Sequence, residues 1–356
     1  MTVIDDVHFM VKHIFWGFVV ALSGALIADT IGTPIPWLLG SLLFTAIFRV
    51  NGANILCHVG FRKVGQWIVG IALGLQFTSE TVEIIKTLSA YVIAGCFFAI
   101  AIGLIGSWIL YKWGGVDYTT AYFGSTVGGA SEMVVLAEKN GSTNLSLVAS
   151  AHSLRVLIIV VIIPFSFQFL GFKGDLISHA QLAEYSYIGL IKLVALTGIG
   201  CFILERIKAP NAMMLGGIIV TALFTSNEIV FTQLQPEIQR IGQLFLGWSL
   251  GSNYRAGFFK QAPRFLGAVS LMTTVYLLLA FVFCAIVAYM SDIYFPTAVL
   301  AMSPGGLAEM AITAKVLMLG APLVTSFQVS RLIFVLLTVA PLYRWLDKYH
   351  KAKSSR

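Results

Sequence analysis

Two glutamates stand three positions after a pair of glycines in otherwise apolar sequence: Glu132 in Gly128-Gly129-Ala-Ser-Glu132-Met133 and Glu309 in Gly305-Gly306-Leu-Ala-Glu309-Met310. An acid at membrane depth is costly, and such groups commonly carry protons or bind Na⁺. A local role stays open beside that one, because a glutamate at the third helical position can reach back and cap the first turn. The residues ahead of the glycines, Ser125-Thr126-Val127 and Met302-Ser303-Pro304, add hydroxyls that can hold a substrate and, at Pro304, a position without an N–H. Met133 and Met310 read as packing residues.

Two cations are equally out of place. Arg155 lies in Leu154-Arg-Val-Leu-Ile-Ile-Val-Val and Arg331 in Val329-Ser-Arg-Leu-Ile-Phe-Val-Leu. A guanidinium there needs an acidic partner, carbonyl neighbours or a watery cavity. Glu132 and Glu309 are candidate partners; a structural ion pair or snorkelling to the interface are the plainer roles. His152 sits one turn before Arg155, on the same helix face. Gln328 replaces it in the second copy, which favours a hydrogen-bonded ring over a proton relay. Gln66, Gly70 and Gly74 share one helix face, as do Gln243, Gly247 and Gly251. Close helix contact accounts for the glycines, with a helix break and a glutamine ligand as the functional alternative.

The elements that must hold these residues follow from composition. Of 356 residues, 58% are hydrophobic and 11% charged, with a mean hydropathy of +0.88. Soluble domains carry about 25% charged residues. An ordinary cytosolic enzyme, a disordered chain and a nucleic-acid-binding domain are excluded, and an α-helical membrane protein remains. Apolar segments fall near 12–28, 35–49, 63–79, 88–111, 117–137 and 144–170, then near 186–204, 209–225, 239–254, 264–290, 293–316 and 322–345. The first is expected to be retained as a helix, since no basic start or small-residue cleavage site accompanies it.

The second set repeats the first. Gly65-Gln66, Gly70 and Gly74 recur as Gly242-Gln243, Gly247 and Gly251, a step from 65 to 242 of 177; the Gly-Gly-x-x-Glu-Met motif recurs from 128 to 305, again 177. Leu38-Leu39-Gly40 parallels Met214-Leu215-Gly216, and Arg155 parallels Arg331, both at a step of 176. Internal duplication is the mark of secondary transporters. Loop cations choose its sense. If all twelve segments cross, the cations divide 12 inside to 8 outside. If the Gly-Gly segments turn back, each repeat crosses five times and the second is inverted. Sixteen cations are then inside, with Lys86, Lys173, Arg240 and Lys315 outside. The positive-inside rule favours the second arrangement, and it accounts for the net charge of +7 without an anionic macromolecular partner.

The expected fold is therefore all-α and polytopic: inverted repeats of five crossings, each with a Gly-Gly re-entrant or broken segment. Residues 1–170 form the first repeat, 171–185 a connecting loop, 186–347 the second repeat and 348–356 a basic cytoplasmic tail. Both termini are expected in the cytoplasm. Helices starting after each Gly-Gly would point their positive ends at the break and attract anions. No Walker A motif, hydrolase signature or metal-ligand spacing accompanies them: the four cysteines are scattered, and His8, His13, His58, His152, His179 and His350 form no ligand pattern.

The combined motifs are specific. Ile35-Pro36-Trp37-Leu38-Leu39-Gly40, Gly65-Gln66…Gly70…Gly74, Gly128-Gly129-x-x-Glu132-Met133 and Ser303-Pro304-Gly305-Gly306-Leu-Ala-Glu309-Met310 resemble the AbrB-type duplicated bacterial inner-membrane proteins, over about residues 12–345. Members are labelled ammonia monooxygenases, and one branch regulators of gene expression; the family is distinct from the small DNA-binding regulators that share its name. The first copy departs from the family's Pro-Gly-Gly pattern, with Val127 in place of the proline, so the two half-sites are inequivalent. The resemblance implies a transporter. The expectation is a non-enzymatic carrier of a small anionic metabolite, coupled to H⁺ or Na⁺ and free of other cofactors. Glu132 and Glu309 would couple; Ser125, Thr126, Gly128, Gly129, Ser303, Pro304, Gly305 and Gly306 would hold substrate; Arg155 and Arg331 would supply counter-charge. A membrane sensor acting through a partner protein and a membrane monooxygenase are the alternatives. The bilayer and a small molecule are the expected partners, nucleic acid is not, and a homodimer is compatible with the sequence.

Overall fold

Lipid offers no partner to a backbone N–H or C=O, so each apolar run closes its own hydrogen bonds as a helix. The computed structural model describes residues 3–142, 144–174 and 185–354, with the backbone alone for 3–9, 261 and 348–354. Most of the expected connecting loop, 175–184 with Asp175, His179 and Glu184, lies outside the described residues, as do Ser355 and Arg356 of the basic tail. Among the described residues sixteen helices follow one another: α1 (Val3–Ile31), α2 (Pro36–Val50), α3 (Val59–Gly74), α4 (Ser79–Thr87), α5 (Ser89–Trp113), α6 (Tyr118–Ser125), α7 (Ala130–Lys139), α8 (Leu145–Phe169), α9 (Tyr187–Arg206), α10 (Ala212–Thr225), α11 (Pro236–Gly251), α12 (Phe258–Gln261), α13 (Pro263–Ser291), α14 (Phe295–Met302), α15 (Leu307–Val316) and α16 (Ala321–Ser354). No strand occurs among the described residues.

Among the described residues, six helices are long and apolar enough to cross a membrane, namely α1, α5, α8, α9, α13 and α16; α3 with α4, bent by 89° at their junction, would make a seventh. The protein is thus an all-α, multi-pass membrane protein. The helices α2 and α10 have 15 and 14 residues, roughly 22 Å of rise against a hydrocarbon layer of about 30 Å.

Helices recur at the interval of the motifs. Those at 118 and 130 have counterparts starting at 295 and 307, a step of 177 each, and the interior prolines Pro164 of α8 and Pro341 of α16 are also 177 apart. The N-caps of α2 and α10, Ile35 and Asn211, are both left-handed, with φ of 41° and 48°. Asparagine tolerates that conformation, whereas a β-branched isoleucine is strained in it.

The chain forms two compact units that each draw on both halves of the sequence. The first comprises Met1–Lys86, Val161–Gln261 and Ala308–Pro322; the second comprises Thr87–Val160, Ala262–Leu307 and Leu323–Arg356. In the first unit, neighbouring helices meet through glycines. A side chain at Gly70 of α3 would run into the Met214 carbonyl of α10, and one at Gly247 of α11 into Ser41 and the Leu38 carbonyl of α2. Small residues let backbones approach, which is how helices associate where no hydrophobic force separates protein from lipid. Trp248 of α11 is fully buried against Phe18, Phe61 and Phe245.

Lys315 departs from its expected place. It is not a free loop cation: its Nζ donates to the Ala72 carbonyl in the last turn of α3, at 2.9 Å. An ammonium suits the negative end of a helix, so this cation carries no topological information.

Candidate functional site

In the second unit, two helices, α6 and α14, stop at the Gly-Gly segments. Helix α6 ends at Ser125 and α7 begins at Ala130, while α14 ends at Met302 and α15 begins at Leu307. Neither half spans a bilayer: 8 and 10 residues rise only about 12 and 15 Å. The first start is fixed by Asp117, whose carboxylate accepts from Thr120 N at 2.9 Å and Thr120 Oγ1 at 2.6 Å. A cluster of Tyr118, Tyr122, Phe123 and Tyr343 then fastens α6 to α16, with the Tyr122 hydroxyl donating to the Val339 carbonyl at 2.9 Å. Helix α5 runs past both breaks. Its Gly103 faces Thr126 at the first and its Gly95 faces Met302 at the second, each within about 3.8 Å of contact for an added methyl. Eight residues separate these glycines, roughly 12 Å along the helix.

A helix end leaves its last carbonyls without partners. Here the misplaced arginines supply them. Arg155 Nη1 donates to Thr126 O at 2.8 Å and Ser125 O at 3.3 Å; Arg331 Nη1 and Nη2 donate to Ser303 O at 2.6 Å and Gly305 O at 3.0 Å. Among the described residues of this unit, neither guanidinium reaches ion-pair distance of a carboxylate. The carbonyl neighbours foreseen for the arginines are therefore their partners, and a pairing of Arg155 with Glu132 is not formed.

Each arginine is steadied by the residue three positions earlier. His152 accepts from Arg155 Nη2 at 3.1 Å and faces the Phe123 carbonyl at 2.9 Å; Gln328 accepts from Arg331 Nη2 at 2.6 Å and donates to the Leu300 carbonyl at 2.8 Å. Phe123 and Leu300 stand 177 residues apart, so the two copies repeat the same network with different side chains. Tyr276 of α13 adds a bond the sequence reading did not anticipate, donating to the Ser125 carbonyl at 2.8 Å. A buried tyrosine in an apolar helix needs such an acceptor, and that need was the available signal. Both arginines are buried, at 2% and 8% exposure, and the Nε–H of each makes no hydrogen bond.

The remaining expected residues divide. Ser125 Oγ donates to the Gly103 carbonyl and to Tyr122 O, both at 3.0 Å, and Thr126 Oγ1 donates to Tyr122 O at 2.7 Å. Their hydroxyl protons are spent on backbone. Ser303 and Pro304 are buried, and Met133 packs at Gly128. The Glu132 carboxylate folds back against Gly129, where an added methyl would strike it. That is the posture of a first-turn cap. Glu132 is half-buried and Glu309 buried, so equal positions in sequence have unequal surroundings. Gln66 and Gln243 lie in the first unit, where Gln66 Nε2 donates to Asn211 Oδ1 at 3.1 Å. Among the described residues no three His, Cys, Asp or Glu side chains gather as a metal site would require.

Comparison with known proteins identifies the family. The family described as "Transition state regulatory protein AbrB" matches residues 9–347. The chain is 25% identical to "Uncharacterized protein YhjN" of Bacillus subtilis, covering 96% of this chain and 95% of that one. It is also 25% identical to "Putative regulator AbrB" of Escherichia coli, covering 96% and 99% respectively. A match over residues 9–347, nearly the whole chain, places this protein in the AbrB family.

Proposed function

We propose that the protein is a secondary transporter of a small anionic metabolite, driven by H⁺ or Na⁺ through alternating access, with no catalytic step and no cofactor beyond the coupling ion. One observation supports this above the others. In one unit, α6 and α14 each end at a Gly-Gly break whose last carbonyls are held by a buried arginine, Arg155 of α8 or Arg331 of α16, that has an unused Nε–H and no carboxylate beside it in that unit. At each break a helix C-terminus contributes about −0.5 charge, a helix N-terminus about +0.5 and the guanidinium a full positive charge. With the Glu132 carboxylate neutralised by its proton or Na⁺, the excess is positive and calls for an anion. Glu132 and Glu309, at the starts of α7 and α15, are the groups through which a proton or Na⁺ would be exchanged. The setting is a bacterial cytoplasmic membrane, with both termini inside and inverted repeats lining the path. The bilayer and the substrate are its partners, nucleic acid is not, and a second copy of the chain is compatible.

Flux into proteoliposomes under imposed pH or Na⁺ gradients tests the reading. Gradient-dependent uptake of a small anion is expected, reduced in Glu132→Gln, Glu309→Gln or the double variant. Unaltered flux in all three removes the coupling role, and absence of flux for every anion removes the transporter. The names of the relatives favour a second reading, a membrane sensor acting through a partner protein; a pull-down from membranes that retains no specific protein counts against it.

A further inference from the structure

We propose that the two breaks form one bipartite site for a dianion, a small dicarboxylate, with one carboxylate taken by Arg155 and the other by Arg331. The proposal rests on the transporter reading for its physiological meaning, but binding can be measured without it. The arginines play parallel parts: Arg155 reaches Ser125 O and Thr126 O through Nη1 and His152 through Nη2, and Arg331 reaches Ser303 O through Nη1 and Gly305 O and Gln328 through Nη2. Each keeps one buried Nε–H without a partner. A buried guanidinium N–H is not left idle at low cost, and the donor it offers is the strong, charge-assisted kind that carboxylates accept.

Charge counts the ligand's acids. Arg155 and Arg331 hold breaks roughly 12 Å apart along α5, and among the described residues of the unit no carboxylate lies at ion-pair distance from either. Two like charges held together in a low-dielectric setting repel, and a single monoanion would balance only one of them. A dicarboxylate balances both. The hydroxyl protons of Ser125, Thr126 and Ser303 are committed to backbone carbonyls; recognition therefore falls on the two Nε–H groups and on the amide N–H groups at the start of α7. The separation of the breaks along α5, about two helical turns, makes the spacing between the two carboxylates the selective property.

The test is thermal unfolding of the full-length, detergent-purified protein with a series of straight-chain dicarboxylates of three to six carbons, the monocarboxylates of the same length, and inorganic sulfate and phosphate. Ligands that bind only the folded state raise its apparent stability. One or two adjacent chain lengths should raise the unfolding temperature in a saturable way at concentrations where monocarboxylates do not. Arg155→Lys and Arg331→Lys, which keep charge but lose the Nε–H, should each weaken that binding at least tenfold, read from the ligand concentration at half-maximal shift. Equal stabilisation by monocarboxylates, by sulfate or phosphate, or by none of the panel overturns the proposal on the unaltered protein, whatever the variants do. Dicarboxylate binding without flux would sink the transporter while leaving the site. Flux of a monocarboxylate without dicarboxylate binding would do the reverse.

Discussion

Arg155 donates through Nη2 to Nδ1 of His152 at 3.1 Å, and that bond fixes the proton on the ring. A guanidinium can only donate, so Nδ1 is bare; the Phe123 carbonyl at 2.9 Å can only accept, so Nε2 carries the hydrogen. The imidazole is neutral, of one tautomer, and acts as a spacer between a cation and a helix carbonyl. Gln328 does the same beside Arg331 with its amide oxygen and nitrogen. His152→Gln should therefore leave folding unchanged and leave the pH profile of any flux in place. His152→Leu strands the Phe123 carbonyl and one guanidinium donor, at a cost of about 1–3 kcal/mol. Unfolding temperatures of the two variants in detergent decide this, and a His152→Gln protein as unstable as His152→Leu would show that the ring does something glutamine cannot.

Much of this arrangement was legible in the sequence because the membrane exaggerates exceptions. Gly128-Gly129 and Gly305-Gly306 interrupt apolar runs and do end helices; Arg155 and Arg331 stand out for their charge and do sit at those interruptions. What could not be read was which groups meet. Glu132 was a reasonable partner for Arg155 by charge, but the nearest unmet need was the last carbonyls of α6, and a guanidinium answers that need with several donors. Lys315 looked like a loop cation for the same reason: its partner, the Ala72 carbonyl, is 243 residues away in the chain. Tyr276 and Gly106 left no repeating motif, and their importance appears only when α5 and α13 are seen side by side.

Gly106 of α5 makes room for the Tyr276 hydroxyl, which a methyl at that position would strike. Gly106→Ala should push the tyrosine off the Ser125 carbonyl and loosen the first break. Tyr276→Phe removes the same 2.8 Å bond without the collision, and should cost about 0.5–1.5 kcal/mol. Gly106→Ala should cost more, because overpacking is added to the lost bond. Denaturation midpoints of the two variants test the order. A Gly106→Ala protein no less stable than Tyr276→Phe would mean that α5 and α13 are not held this closely.

The glycine contacts of the first unit predict a matched pair. Gly247→Ala places a methyl into the Ser41 hydroxyl and into the Leu38 carbonyl, which as backbone cannot turn away, and should destabilise by about 1–3 kcal/mol. Gly267→Ala in α13 meets nothing within 4 Å and lies exposed on its helix. It should be neutral or gain about 0.5–1 kcal/mol from helix propensity. Equal effects of the two substitutions in thermal unfolding would remove close packing as the reason for the glycine at 247.

Inverted repeats make a prediction about sides. Cysteines introduced at Lys173 and Lys260, both exposed, should react with an impermeant maleimide from the outside and from the cytoplasm respectively. Parallel repeats exchange the two sides. Lys173 is preferred to Gly171, whose φ of 70° would strain any side chain placed there. The native thiols interfere little: Cys96, Cys201 and Cys284 are buried, and burial pushes the half-buried Cys57, in the loop before α3, up to about 12. Maleimide reacts with the thiolate, so at pH 7 Cys57 should label far more slowly than an introduced surface cysteine. Its rate should climb steadily as pH rises toward 10, because each unit adds about tenfold thiolate below the pKa. The sign is that of an acid whose neutral form is favoured by burial, so raising pH unmasks it. Labelling at Lys260 from outside, with Lys173 labelling from the cytoplasm, would replace the inverted arrangement by the parallel one; a wild-type protein that labels at pH 7 as fast as the introduced cysteines would show instead that the loop holding Cys57 is open to solvent.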